Sequence, residues 1–203
     1  MTGVQTCALP ICRPDLSQYA LRDDRVYNVG RLDADTSGLL ILTNDGELAN
    51  MLAHPKFGVS KTYVAKVEGL VTSQEINQLL KGVQLEDGLM SADKANLVDS
   101  NPYESLVEIT IHSGKNRVVR RMFDSIGHPV KDLVRRQFGP IQLGPLKPGQ
   151  TRLLSKVEIG ALLKAAQNSS KEPNASATKP GPKPRGRSEE HTSELQSHSF
   201  ISY

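Results

Sequence analysis

Residues 30–46 read GRLDADTSGLLILTNDG and hold the densest chemistry in the chain. Asp33 sits on a polar stretch between Arg31 and Thr36-Ser37-Gly38, and Leu39-Leu40-Ile41-Leu42 follows directly. A carboxylate beside a buried strand is expensive unless a cation satisfies it or a reaction uses it. An ionised carboxylate so placed can attack an electrophilic carbon or take a proton from one. The TSG turn would fix its backbone and the apolar run would anchor the turn.

Three other readings attach to the same acids. Asp33, Asp35 and Asp45 offer a carboxylate cluster for a metal. DADTS resembles the Asp-x-Asp motif of haloacid-dehalogenase-like phosphatases, but that motif asks for an apolar strand before the first Asp, and here VGRL precedes it. The plainest reading is a turn, with Asp33 and Asp35 capping the backbone around Thr36-Ser37-Gly38.

A second block, GKNRVVRRM from Gly114 to Met122, places Lys115, Arg117, Arg120 and Arg121 at the start of a helix. Val118, Val119, Met122, Phe123 and Ile126 fall at core spacing. Arg117 and Arg121 are four residues apart and share one side, a surface suited either to holding phosphates or simply to facing solvent. A third block, Ser60-Lys61-Thr62-Tyr63, leads into a strand. A tyrosine there is ordinarily a packing residue, and gains a function if a nucleobase must be stacked.

The elements that must position these groups follow from periodicity and punctuation. Gly38–Leu42 reads as a buried strand. Asn44 or Asp45 caps a helix over Glu47–Ala53, which stops before His54-Pro55. Thr62–Glu68, Ala95–Val98 and Ser105–His112 read as strands. Thr72-Ser73-Gln74-Glu75 is a capping box, followed by INQLL and Gly82, and Ser155-Lys156-Val157-Glu158 is a second box that opens IGALLKAA. Asn116 is placed to cap a helix that runs through Ile126 to Gly127. Strands interleaved with a few short helices argue an α+β domain with a mixed, largely antiparallel sheet and flanking helices.

The ends of the chain differ from its middle. Back-translation of RSEEHTSELQSHSFISY and of MTGVQTCALPI gives opposite strands of one DNA segment, which resembles a sequencing-library adapter. Residues 1–12 and 187–203 are therefore read as adapter-like, and the gene segment as cut short upstream. MTGVQTCALPI shows no strand pattern, so a strand position is expected to stand vacant where the upstream segment belongs. Cys7 and Cys12 lie in or beside this stretch, so cysteine spacing carries no information about disulfides or metals.

The 203 residues carry a net charge of +3 and are 37% hydrophobic, which fits one modest domain with tails. The closing segment holds Arg187 against Glu189, Glu190 and Glu194, so the remainder is more basic than the whole. No apolar stretch approaches a membrane span. The Pro/Gly/Ser/Asn-rich run 167–186 cannot bury a core and reads as a disordered basic tail, either merely solvated or loosely holding RNA.

GRLDADTSGLLILTNDGEL, SKTY and GKNRVVRRMFDSIGHPVKDLVR, in this order, resemble the RsuA-like ribosomal pseudouridine synthases, and most of all the large-subunit, RluB-type members. The likeness spans about Tyr27–Ala166 and implies a partial catalytic domain over residues 13–166, incomplete at its N-terminus. It implies isomerisation of one uridine in ribosomal RNA, large-subunit (23S) RNA above all, by a monomeric cytoplasmic enzyme that needs no metal or organic cofactor. Asp33 would be catalytic, Tyr63 would stack on the target base and assist proton removal at C5, and Arg120 would pair with Asp33. Arg31 would help hold the displaced nucleotide position, Val119 would lie against the base, and Lys61, Lys115, Asn116, Arg117 and Arg121 would hold RNA. A non-catalytic RNA-binding module is the alternative, with the phosphatase behind it. The family's S4-like RNA-binding domain and Lys-Pro segment, which precede the catalytic sheet, have no counterpart here.

Overall fold

The computed structural model describes the backbone of residues 4–9 and residues 26–169 in full, apart from a few side chains at the end of the last helix. The closing stretch 187–203 and most of the basic tail lie outside the described residues.

The apolar run becomes β3 (Thr36–Thr43), whose side chains are buried almost throughout. Leu39 and Ile41 point into one core while Leu40 and Leu42 are also covered. Burial on both faces is why this strand reads as continuous rather than alternating. β4 (Lys61–Glu68) and β8 (Glu104–Ile111) pair along their whole length, and β7 (Lys94–Ser100) closes that edge. β8 buries every second residue, as its sequence alternation requires.

β9 (Val130–Phe138) joins the two halves of the sheet. It runs antiparallel to β4 and parallel to β3, where Thr36, Ser37 and Gly38 face Leu133, Val134 and Arg135. The sheet order is β11 (Thr151–Leu153), β1 (Val4–Leu9), β3, β9, β4, β8, β7; β2 (Tyr27–Val29) adds to β3 and β10 (Ile141–Gln142) to β9. β5 (Val83–Leu85) and β6 (Gly88–Met90) form a separate hairpin. The mixed, largely antiparallel sheet is the one expected.

The expectation that MTGVQTCALPI offers no strand is corrected. Val4–Leu9 lies between β3 and β11, paired from Val4 opposite Thr43 to Leu9 opposite Gly38. A ladder is built from backbone groups, and two strands presenting open rows of N–H and C=O accept a segment whose side-chain pattern is weak.

α1 (Gly46–Ala53) is capped by Asp45, whose Oδ1 accepts the Leu48 N–H at 3.0 Å. α2 (Ser73–Lys81) carries the full Thr72–Glu75 box. α4 (Lys156–Ser169) starts on the Ser155–Glu158 box and continues through Gln167–Ser169, the first residues of the expected tail. α3 (Val118–Ser125) departs from expectation. Asn116 is not its cap; Arg117 stands there in the left-handed region, at φ 46°, with no side-chain cap.

Two hydrophobic clusters result. One packs α2 and α3 on β4, β8 and β9 through Leu79, Val107, Ile109, Met122 and Phe123. The other gathers β3, α1, β10 and α4 through Leu39, Ile41, Leu52, Ile141 and Leu162. Among the described residues no helix is long and apolar enough to cross a membrane.

Candidate active site

Asp33 opens a tight turn, its C=O accepting the Thr36 N–H at 3.0 Å, and β3 starts at once. The turn borders a cleft of about 350 Å³ lined by residues from both hydrophobic clusters. Asp33, Arg31, Lys61, Tyr63, Lys115, Asn116, Arg117 and Val119 all line it. Three sequence blocks far apart in the chain thus converge on one cavity.

Tyr63 reaches the cleft from β4. The register of β4 against β9 shifts between Thr62 and Tyr63, and such an irregularity re-aims a side chain. Its ring is partly buried against the first cluster. Val119, from the first turn of α3, and Leu133, from β9, give the cleft apolar walls.

Lys61 enters from the start of β4. Its Nζ donates to the Val59 C=O at 3.0 Å and lies 5.5 Å from the Phe138 ring centre. Burial, and then the charge of Arg135, pull its pKa down to about 8.

The basic block is tied to acids. Arg117 donates twice to Asp35, at 2.9 and 2.7 Å. This fork offsets the left-handed backbone of Arg117, which costs about 1–2 kcal/mol in a residue with a Cβ. Arg117's hydrogen bond, with Arg120's charge adding to it against the cost of burial, holds the Asp35 carboxyl below the ordinary carboxylate range. Arg121 donates twice to Asp87, both at 3.0 Å, and Lys115 donates to the Asp87 C=O at 2.8 Å. The β5–β6 turn therefore meets the start of α3 through Asp87.

Arg120 and Arg121 do not line the cleft. The expected pairing of Arg120 with Asp33 is corrected. Arg120 is buried, and donates to the C=O of Val130 at 2.9 Å and of Asp35 at 2.6 Å. Its Nε stands 3.3 Å from an Asp35 carboxylate oxygen, a charge contact rather than a hydrogen bond. Arg120 meets the inner side of the turn, where Asp35 is the residue within reach. Asp33's charged neighbour is instead Arg117.

Arg135, Leu133 and Phe138 also line the cleft and were not anticipated. All three belong to β9, whose buried positions are Leu133, Arg135 and Phe138. A buried arginine and uneven spacing hide the strand's alternation, so the sequence VKDLVRRQF gives a weak strand signal. The metal, phosphatase and turn readings of Asp35 do not include a cation; its acidic partnership with a basic helix 82 residues away has no local signature. The phosphatase reading wants a strand that runs into the first Asp, whereas β2 stops at Val29 and Asp33 stands in the turn that opens β3.

Comparison with known proteins bears on the family. The family model described as RNA pseudouridylate synthase matches residues 9–125. The chain is 47% identical over 140 residues to a protein of Bacillus subtilis (strain 168) named ribosomal large subunit pseudouridine synthase B, covering 68% of this chain and 57% of that one. It is 46% identical over 142 residues to an uncharacterized RNA pseudouridine synthase of Aquifex aeolicus (strain VF5), covering 70% and 57%. The chain thus spans a little over half the length of these relatives. A solved structure described as a pseudouridylate synthase superposes with a TM-score of 0.65 at 26% identity, covering 80% of this chain and 74% of that one. The matched span includes the Asp33 turn, Tyr63 and all of α3, and the chain belongs to the RNA pseudouridylate synthase family.

Proposed function

We propose that this protein converts a specific uridine to pseudouridine in ribosomal RNA, large-subunit RNA being the preferred substrate, acting as a monomer in the cytoplasm. The observation that carries the reading is the meeting of Asp33, Tyr63 and Val119 in one cleft rimmed by cations. The reaction breaks the C1′–N1 bond, turns the uracil, and rejoins it through C5. The target base lies within an RNA strand, so it must be swung out into the cavity. Asp33 begins the chemistry, either by attacking C1′ or by taking the C2′ proton. Tyr63 stacks on the loosened base against Val119 and assists removal of the C5 proton after rejoining. Arg31, Lys61, Lys115, Asn116, Arg117 and Arg121 receive the flanking phosphates. For Arg117 and Arg121 this means exchanging Asp35 and Asp87 for phosphate. A carboxylate and a stacking surface suffice, so neither metal nor organic cofactor enters. The domain is taken as 13–166, with the tail 167–186 adding a loose electrostatic hold.

The test is chemical mapping of pseudouridine in ribosomal RNA fragments treated with the chain and with Asp33→Asn, in EDTA. Wild-type conversion is expected to persist in EDTA. Asp33→Asn is expected to bind RNA within a few-fold of wild type and to convert none of it. Substantial turnover by Asp33→Asn, or a strict magnesium requirement, would overturn the assignment.

A further inference from the structure

Arg135 is the largest fully buried side chain in the described residues, 2% exposed at the centre of the sheet. No carboxylate pairs with it among the described residues, and its Nη2 has no hydrogen-bond partner there. A buried guanidinium without a counter-charge is costly, so its remaining bonds must matter to the fold or to the site. Those bonds are two. Nε donates to the Leu39 C=O at 2.8 Å and Nη1 to the Arg31 C=O at 3.2 Å. Leu39 lies in β3, and Arg31 lies in the loop that precedes Asp33. One planar fork therefore joins the strand to the segment entering the turn.

The far side of the turn is held in the same way. Arg120 donates to the Asp35 C=O at 2.6 Å. Asp33 stands midway between Arg31 and Asp35, so the carbonyls two residues before and two residues after it are each fixed by a buried arginine. The close approach that lets Arg135 reach across is visible in its own backbone, which passes so near Gly38 that a Cβ there would lie 2.4 Å from the Arg135 carbonyl oxygen.

We infer that Arg135 is a positioning residue for the uridine chemistry, one jaw of a two-arginine clamp that sets where the Asp33 carboxylate points. The inference rests on the function proposed above. Lysine cannot replace the fork, because a single ammonium does not span two carbonyls in one plane. Loss of the fork releases the Arg31–Asp33 segment while β3 and β4 keep their pairings. The carboxylate then samples directions from which the sugar is out of reach, which slows chemistry more than it weakens RNA binding.

The test uses the whole 203-residue chain with Arg135→Met and Arg135→Lys. Hydrogen exchange is followed on peptides covering residues 30–36, with peptides of β4 and β8 as internal references. Exchange at the turn, reported by the Thr36 amide, is expected to quicken at least tenfold in both variants while the references stay within twofold. In steady-state conversion of an rRNA fragment, kcat is expected to fall at least thirtyfold with KM within threefold. Unchanged exchange at 30–36 in the lysine variant overturns the clamp, as does a kcat within threefold of an active wild type. Exchange decides the clamp by itself. A wild-type chain that converts no uridine counts against the proposed function, and the clamp then stands or falls on exchange alone. Should the methionine variant fail to fold, the lysine variant, which keeps charge and length, carries both measurements.

Discussion

Among the glycines of the described residues Gly38 has the least room for a Cβ, and replacing it by alanine gives a quantitative test of how β3 and β9 meet. The added Cβ would lie 2.4 Å from the Arg135 carbonyl oxygen, 2.7 Å from its nitrogen and 3.0 Å from its carbonyl carbon. These are backbone atoms of a central strand and cannot swing aside as a side-chain tip would. Gly38 also has φ +111°, outside the range that residues with a Cβ adopt comfortably. The backbone strain alone is worth about 1–3 kcal/mol. Relieving the overlap requires β3 and β9 to separate, a further ~1–3 kcal/mol by analogy with overpacked cores. Together they give about 2–6 kcal/mol against a total stability on the order of 5–15 kcal/mol. At an m value of about 2 kcal/mol/M the urea midpoint should fall by roughly 1–3 M. Two other glycines separate the terms. Gly30 has φ +71° but open space around its Cβ position, so Gly30→Ala should cost only the strain, about 1 kcal/mol. Gly114 has open space and no positive φ, so Gly114→Ala should cost under about 0.5 kcal/mol. Urea unfolding followed by circular dichroism ranks the three. A Gly38→Ala protein within 1 kcal/mol of wild type, or one no worse than Gly30→Ala, would refute the close-packed account of the β3–β9 seam.

Arg120→Met should lower stability by about 3 kcal/mol, because the Asp35 and Val130 carbonyls lose a buried charged donor, whereas Arg121→Met on its exposed Asp87 pair should cost less than about 1 kcal/mol. Equal melting temperatures for the two variants would contradict the burial of Arg120. Asp87→Asn removes the negative charge that faces Arg121 and Lys115, so RNA affinity at low salt should rise severalfold. Arg117→Ala should weaken affinity and reduce the salt-dependence slope by about one. Filter binding across a salt series checks both, and a tighter Arg117→Ala complex would exclude that residue from phosphate contact. Lys61 is held near 8 by burial and by Arg135, while in the unfolded chain it titrates near its ordinary 10.5. The unfolded state then binds more protons between those values, so stability should climb as pH rises from about 8 to 10.5. Lys61→Met should remove the climb, and urea midpoints from pH 7 to 10 that run parallel in both proteins would count against the burial of this amine.

The parts of the fold that were legible share a local cause. The Thr72–Glu75 and Ser155–Glu158 boxes, the Asp45 cap and the alternation of Ser105–His112 are each written within a few consecutive residues, and each formed as read. The unread parts depend on partners distant in sequence. β9 conceals its strand character because Arg135, a buried residue, looks like a surface one until Leu39 and Arg31 are brought to it. Asn116 has the chemistry of a cap, but Arg117, forked to Asp35, stands left-handed at the cap position one residue later with no side-chain cap. The residues that the family resemblance singles out meet in one cleft, but nothing in the sequence separates Asp35 from Asp33 as the partner of Arg120. Two acids two residues apart are equivalent to a distant cation until the turn decides which one faces inward.

The two hydrophobic clusters differ in how the chain visits them. The one under α2 and α3 uses residues from 65 to 133 in a single passage, whereas the one around β3 is assembled from residues 29–59 and 138–162. During synthesis the first can therefore close as soon as its own stretch emerges. The second must wait. Leu39–Leu42 appear early, and β2 and β1 can pair with β3 at that stage, but β9 and α4 are still unmade. At roughly 5–20 residues per second, the interval between β3 and β9 lasts on the order of 5–20 s. For most of that time an apolar strand stands half-covered on the ribosome and the Asp33 turn lacks both arginines. Loop closure across this interval comes last, so the cleft is finished only when the C-terminal third arrives. A nascent chain stalled before residue 130 would hold a first core still lacking Leu133, an exposed apolar strand for a chaperone to grip, and an unfinished cleft.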